Sequence, residues 1–181
     1  MDHTTALAEL LSQHGFHRHA LVRNQVGHFQ LVGLLHDAPV DILLDTGAAS
    51  TVVDLSYCRA KDIPTCDTGK LGGGAGGITL AIHALDGATL SLDGHPLRSD
   101  GIYAVDLTHV NEGLVTKGAS RVQGVLGADV LTYHQRSSIM RRCPCSYIIQ
   151  TPNQSMKPTA PFRCNFSLFA TTLCRGLSLS R

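Results

Sequence analysis

Three aliphatic residues, Ile42-Leu43-Leu44, run without interruption into Asp45-Thr46-Gly47. A continuous apolar run of this kind suits a strand covered on both faces. The chain must therefore place a carboxylate at the mouth of a core. Such a group is expensive to leave uncompensated. Thr46 can hold the loop by hydrogen bonding, and Gly47 lets the backbone turn and approach a neighbour. The tripeptide alone decides little, because turns use these residues freely. The chain carries its own control. Asp67-Thr68-Gly69 repeats the tripeptide after Ile63-Pro64-Thr65-Cys66, which is no buried strand, and that copy is expected to be an ordinary turn.

The surrounding pattern is β. Residues 27–35 read as a strand, His36-Asp37-Ala38-Pro39 as a turn, and Val40 to Leu44 as the returning strand that delivers the chain into Asp45. Beyond the glycine-rich run Gly72-Gly73-Gly74-Ala75-Gly76-Gly77, residues 78–85 alternate in part. Asp86-Gly87 predicts a hairpin turn with residues 88–92 returning, and Asp93-Gly94 predicts a second turn. Residues 102–107 read as another strand, and residues 122–131 end the well-patterned region. Short strands between Asp-Gly and Gly-rich turns predict a mostly β barrel or sandwich. Ahead of them, Ala6, Leu7, Leu10 and Leu11 share one face of a helix over residues 4–14, with Thr4 or Thr5 to cap it and Gly15 to end it. His14, His17 and His19 follow. No cysteine or carboxylate pattern stands beside them, so they are read as structural or surface residues; no metal or cofactor is expected.

At 181 residues, with 43% hydrophobic and 16% charged, the chain suits one packed domain with a tail and excludes a two-lobed enzyme. The net charge of +1 hides an asymmetry. Residues 1–129 hold all 14 acidic residues but eight of the 15 basic ones, a net of −6. Residues 130–181 hold seven basic residues and no acid, with four of the six cysteines and only one of the 18 glycines. The chain accordingly divides into an N-terminal helix or extension (1–19), a main domain (20–135) and a basic, Cys- and Pro-containing tail (136–181). In that tail only Ser146-Tyr147-Ile148-Ile149 looks strand-like. The tail is read as a disordered extension. A Cys-x-Cys element at Cys143-Pro144-Cys145 and the product of a reading-frame change are the competing readings. Its basic residues are scattered, which makes no case for nucleic acid. No run approaches the roughly 20 apolar residues of a membrane span. Met1-Asp2-His3-Thr4 lacks a basic export signal, so a cytoplasmic location with reduced cysteines is expected.

The segment Gly124-Val125-Leu126-Gly127-Ala128-Asp129-Val130-Leu131 supplies the rest of the context. Taken with Leu43 to Ala48, it resembles the retropepsin-like aspartic proteases, particularly the small bacterial single-domain type, over roughly residues 20–133. The resemblance implies a closed β-barrel with short helices, one lobe per chain. It implies that Asp45 is catalytic, that Thr46, Gly47 and Ala48 support its loop, and that Val125, Leu126 and Gly127 form the strand threading beside it. The glycine-rich run from Gly72 to Gly77 begins 27 residues after Asp45, where the family carries its flap. The activity implied is peptide-bond hydrolysis by a water held between two aspartates, on a peptide or protein substrate and without a cofactor. Asp67 lies only 22 residues from Asp45, too few to build a second lobe. The second aspartate is therefore expected from a second copy of the chain, in a homodimer. After Leu131 the family continues with apolar strands that this chain lacks. Two other readings stay open: an inactive peptide-binding or dimerisation module of the same fold, and a C-terminally altered remnant of a protease.

Overall fold

The computed structural model describes residues 3–85, 87–97, 101–133 and 147–152. Among the described residues, strand accounts for 43% and helix for 25%, so the fold is mostly β. The N-terminal helix, α1, spans His3–Gln13, as its 3.6-residue spacing predicts. It is followed by β1 (Phe16–Arg23), β2 (Phe29–Leu35) and β3 (Ala38–Leu44). β1 therefore begins ahead of the expected boundary at residue 19, and its His19 and Leu21 are buried.

Strands β2 and β3 form the expected antiparallel hairpin, in register from Phe29↔Leu44 to Leu35↔Ala38. Next come β4 (Val52–Asp54), α2 (Leu55–Ala60), β5 (Thr65–Gly73), β6 (Thr79–Leu85), β7 (Leu90–Leu92) and β8 (His95–Pro96). The described chain ends with β9 (Tyr103–Val105), α3 (Thr108–Thr116), β10 (Gly124–Leu126), α4 (Ala128–Tyr133) and β11 (Tyr147–Pro152). The sheet runs β11-β1-β2-β3-β10-β4-β9-β6-β5, with β7 and β8 branching from β2. Its two ends, β11 and β5, do not meet, so the closed barrel expected from the resemblance is not formed among the described residues.

Two cores explain the apolar run. Ile42 and Leu44 face a larger core with Leu21, Leu35, Val53, Leu92 and Leu126. Leu43 faces a smaller one with Val105, Leu107, Leu114, Val122 and Val125. The end of β3 is thus covered on both sides, and no polar residue is tolerated until the chain leaves at Asp45. β10 lies parallel to β3, pairing Val125 with Leu43 and Leu126 with Leu44, and contributes one side chain to each core. Gly33 serves the crossing of β7 over β2. A Cβ there would stand 2.9 Å from the Ser91 carbonyl oxygen and from Ile42 Cδ1.

Two expectations need correction. Residues 88–92 do not return on β6. β7 pairs with β2 and β8, while β6 pairs with β5 and β9. Burial of Leu90 and Leu92 in the larger core outweighs the local preference for a hairpin at residues 86–87. Asp67-Thr68-Gly69 is no free turn but a bulge inside β5, where the register against β6 shifts between Asp67 and Lys70. Gly69, at φ +66°, supplies the left-handed residue that the bulge needs. Helices α2 and α3 were not legible from periodicity. Asp54 caps α2, its Oδ1 accepting from Tyr57 N at 2.9 Å. Buried Asn111 ties α3 to residue 122, donating to the Val122 carbonyl at 3.0 Å and accepting from its amide at 2.8 Å.

The Asp93-Gly94 turn is as expected. Both residues have positive φ, 48° and 81°, and join β7 to β8. Within the stretch read as a tail, β11 pairs antiparallel with β1 from Leu21↔Tyr147 to Phe16↔Pro152. Residues 134–146 and 153–181, with Cys143, Cys145, Cys164 and Cys174, lie outside the described residues. No described helix is long and apolar enough to cross a membrane.

Candidate active-site loop

Asp45 is half-buried at the point where β3 leaves the two cores. Its backbone amide donates to the Leu126 carbonyl at 3.0 Å, which continues the β3–β10 ladder into the loop. Its carbonyl accepts from the Ala48 amide at 3.1 Å, closing a tight turn over Thr46 and Gly47. Its Oδ1 accepts from the Gly47 amide at 2.8 Å. The carboxylate is therefore oriented by its own loop, and the loop by β10. Thr46 and Gly47 are exposed.

The segment after β10 locks the other side. The Ala128 amide donates to the Ala48 carbonyl at 2.8 Å. Gly127 is buried, and a Cβ on it would stand 2.6 Å from Ser50 C and 2.7 Å from Ser50 O. Backbone cannot yield that distance, so only glycine allows the two segments to cross. The structure thus brings together Asp45, Thr46, Gly47 and Ala48 with Val125, Leu126 and Gly127.

Two residues of this lock escaped sequence reasoning. Buried Thr51 donates through its amide to Asp129 Oδ2 at 2.9 Å and through its hydroxyl to Asp129 Oδ1 at 2.7 Å. The same hydroxyl accepts from the Gly127 amide at 3.0 Å. Asp129, in the first turn of α4, so fixes the far end of the Asp45 loop. The sequence signal was a threonine six residues after Asp45 and an aspartate two after Gly127, but nothing local joins them.

Neither neighbouring carboxylate of the lock is free to act with Asp45. Both oxygens of Asp129 accept from Thr51. Asp54 accepts from Tyr57 N, from the Ser56 hydroxyl and, through Oδ2, from Leu107 N at 3.1 Å. Of these three carboxylates, Asp45 is the one held by its own loop rather than by another element.

The glycine-rich run Gly72–Gly77 forms the end of the β5–β6 hairpin. Gly73 pairs with Thr79, and a single 3-10 turn covers Ala75–Gly77. Gly74 N donates to the Ile78 carbonyl at 2.7 Å, closing the tip. Leu71 is 71% exposed on this hairpin, an apolar side chain with no core to cover it. Leu80, opposite Gly72, packs against the same smaller core as Ala48. The hairpin close to its tip and the Asp45 loop therefore rest on one set of side chains.

The three N-terminal histidines each make a contact. His14 Nδ1 lies 2.7 Å from the Leu10 carbonyl, His17 stacks on His95, and His19 Nδ1 lies 2.9 Å from Asp93 Oδ2. Among the described residues no three His, Cys, Asp or Glu side chains are placed to hold a metal ion.

No family model and no curated protein matches this sequence. Among solved structures, the chain is similar to a retropepsin-like aspartic protease from Rickettsia conorii. The identity is 17% and the TM-score 0.45, with 75% of this chain and 91% of that chain covered.

Proposed function

We propose that the chain is an aspartic endopeptidase of retropepsin-like type, acting as a homodimer in which each copy supplies one Asp45. The observation that carries this reading is the interlock itself. An aspartate leaving a doubly buried strand is oriented by Gly47 N, continued by Leu126 O and backed by a glycine that no other residue can replace. A strand end of this construction is far more than a turn needs.

The chemistry requires a second carboxylate. Asp54 and Asp129 are spent on structure, which favours a partner's Asp45 across a two-fold axis. Two carboxyls at close range cannot easily both ionise, so the pair holds one proton and titrates as a unit. One Asp45 takes a proton from a water lying between them, and the water oxygen forms a bond to the peptide carbon. The other gives its proton to the carbonyl oxygen. The neutral tetrahedral intermediate then collapses: the C–N bond breaks, the amine leaves with a proton and a carboxyl forms. No covalent adduct with the enzyme is needed.

The β5–β6 hairpin is the lid in this reading. Its glycines permit movement at the tip, and its exposed Leu71 gives it an apolar surface to lay over a peptide.

The test uses the purified full-length chain and an unfolded protein substrate across pH 3–7. Mass spectrometry reads cleavage, and light scattering reads the mass in solution. Cleavage that disappears in Asp45→Asn, by a dimer, is expected. A monomer at all concentrations, or activity surviving in Asp45→Asn, would overturn the reading.

A further inference from the structure

Three imidazoles gather where β1 meets the β7–β8 hairpin. The rings of His17 and His95 stack with centroids 3.4 Å apart and planes 17° from parallel. His19 meets His95 edge-on at 6.2 Å and 67°. His19 is 2% exposed, and its Nδ1 lies 2.9 Å from Asp93 Oδ2 at the hairpin turn. No backbone ladder joins β1 to β7 or β8. β1 pairs with β11 and β2, while β8 pairs with β7. Strand β2 carries both through its ladders, with β1 at Val22–Arg23 and with β7 at Leu90–Ser91. Beyond those rungs, the contact between β1 and the hairpin includes the imidazoles outside, and Leu21 with Leu92 in the larger core beneath.

The stack is not a metal site. Ring nitrogens direct their lone pairs within their own planes, and two nearly parallel planes 3.4 Å apart do not converge on one ion. It suits neutral rings. Protonating both His17 and His95 puts like charges at van der Waals separation, partly removed from water. Asp93 is the carboxylate that the described residues bring to the cluster, and its side chain is 68% exposed, so water screens it. Its contact with His19 persists whether His19 carries one proton or two, given a proton on Nδ1. Among the described residues, the other charged groups nearby do not offset the stack. Arg18 projects from the opposite, exposed face of β1, Glu9 is exposed on α1, and His14 is bound to the Leu10 carbonyl. The flanking strands β2 and β7 contain no titratable residue, and β11 contains only Tyr147.

We propose that this cluster is an acid-sensitive latch, which holds the β7–β8 hairpin against β1 while its imidazoles are neutral and releases it when they take up protons. The direction follows from His17. Burial, then the charges of His95 and His19, hold its titration below the ordinary 6.5. The folded chain therefore binds fewer protons there than the unfolded one. The stabilisation is present above the ordinary value and is lost as the pH falls below it through the depressed folded value. The latch is independent of any peptidase activity.

Hydrogen exchange on the full-length chain at pH 7.5 and 5.0, corrected for intrinsic rates, tests it. Amides of residues 16–19 and 90–97 should lose protection at pH 5.0. The loss should be roughly tenfold for each pH unit between the folded and unfolded midpoints. Residues 40–44 and 124–126 should keep theirs. His95→Phe, which keeps a stacked ring but removes one of the charges that depress His17, should reduce the loss. If that variant does not fold, ring NMR of the wild type decides instead, with the His17 midpoint expected below the ordinary 6.5. Unchanged protection in the wild type, an equal loss in His95→Phe, or a His17 midpoint at or above 6.5 would overturn the proposal.

Discussion

The Thr51 hydroxyl donates to Asp129 at 2.7 Å while accepting from the Gly127 amide at 3.0 Å. One oxygen thus joins the far end of the Asp45 loop, the strand that threads beside it and the helix that follows. Thr51→Val keeps the shape but leaves the Gly127 amide and an Asp129 oxygen unpaired. Each group left so should cost about 1–3 kcal/mol. The melting temperature should fall by about 2–4 °C for each kcal/mol lost. Thr51→Ser, which restores the hydroxyl, should recover most of that loss. Thermal unfolding of the three proteins at neutral pH checks the order.

Gly127→Ala should be far more damaging than Gly124→Ala. A Cβ at Gly127 meets Ser50 backbone at 2.6 Å, whereas at Gly124 the nearest atom is the Val52 oxygen at 3.3 Å. The first overlap can be relieved only by separating the crossing segments, at about 3 kcal/mol or more, and the second by a small shift of about 1 kcal/mol. Denaturant titration of both variants reads the difference. Equal midpoints would contradict the crossing.

Asp45→Asn keeps an oxygen to accept from Gly47 N, so the loop and the melting temperature should hardly change. Cleavage should fall by a factor on the order of 10⁴ if the carboxyl carries proton transfer. Kinetics and thermal unfolding on the same preparation separate the chemical role from a folding defect.

Cys58 and Cys66 should differ in reactivity. Burial, reinforced by the Asp54 carboxylate, pushes the Cys58 thiol up to about 11, so at pH 8 roughly one molecule in a thousand carries the thiolate there. Cys66 is exposed on β5. Brief alkylation of the native protein followed by peptide mapping should label Cys66 and spare Cys58. Unfolding first should expose both.

The part of the fold legible in advance is the part encoded locally. Period-two and continuous apolar runs gave β2 and β3, helical spacing gave α1, and Asp93-Gly94 gave the β7–β8 turn. Helix α2 was missed because it is six residues long and depends on Asp54, whose other oxygen reaches Leu107, 53 residues away. Helix α3 was missed because its anchor, Asn111, is a polar residue in a buried position, the reverse of the pattern being sought.

By itself the sequence determined that an aspartate must emerge from a run of buried aliphatic residues, with Gly47 letting the backbone turn behind it; that residue 127 must be glycine was decided by its crossing with Ser50. It could not separate the two Asp-Thr-Gly copies by their own geometry. Both make the same local bond, from the glycine amide to the aspartate Oδ1, at 2.8 Å in Asp45–Gly47 and 2.9 Å in Asp67–Gly69. Tertiary structure alone decided that Leu126 would accept from the Asp45 amide, and that Asp129 would clamp Thr51 across 78 residues of chain. The same structure left Asp67 exposed in a bulge on an edge strand. Torsional preference and apolar spacing act over a few residues and can be read in order along the chain. A partner dozens of residues away is selected only when two cores pack and bring the segments between them into register.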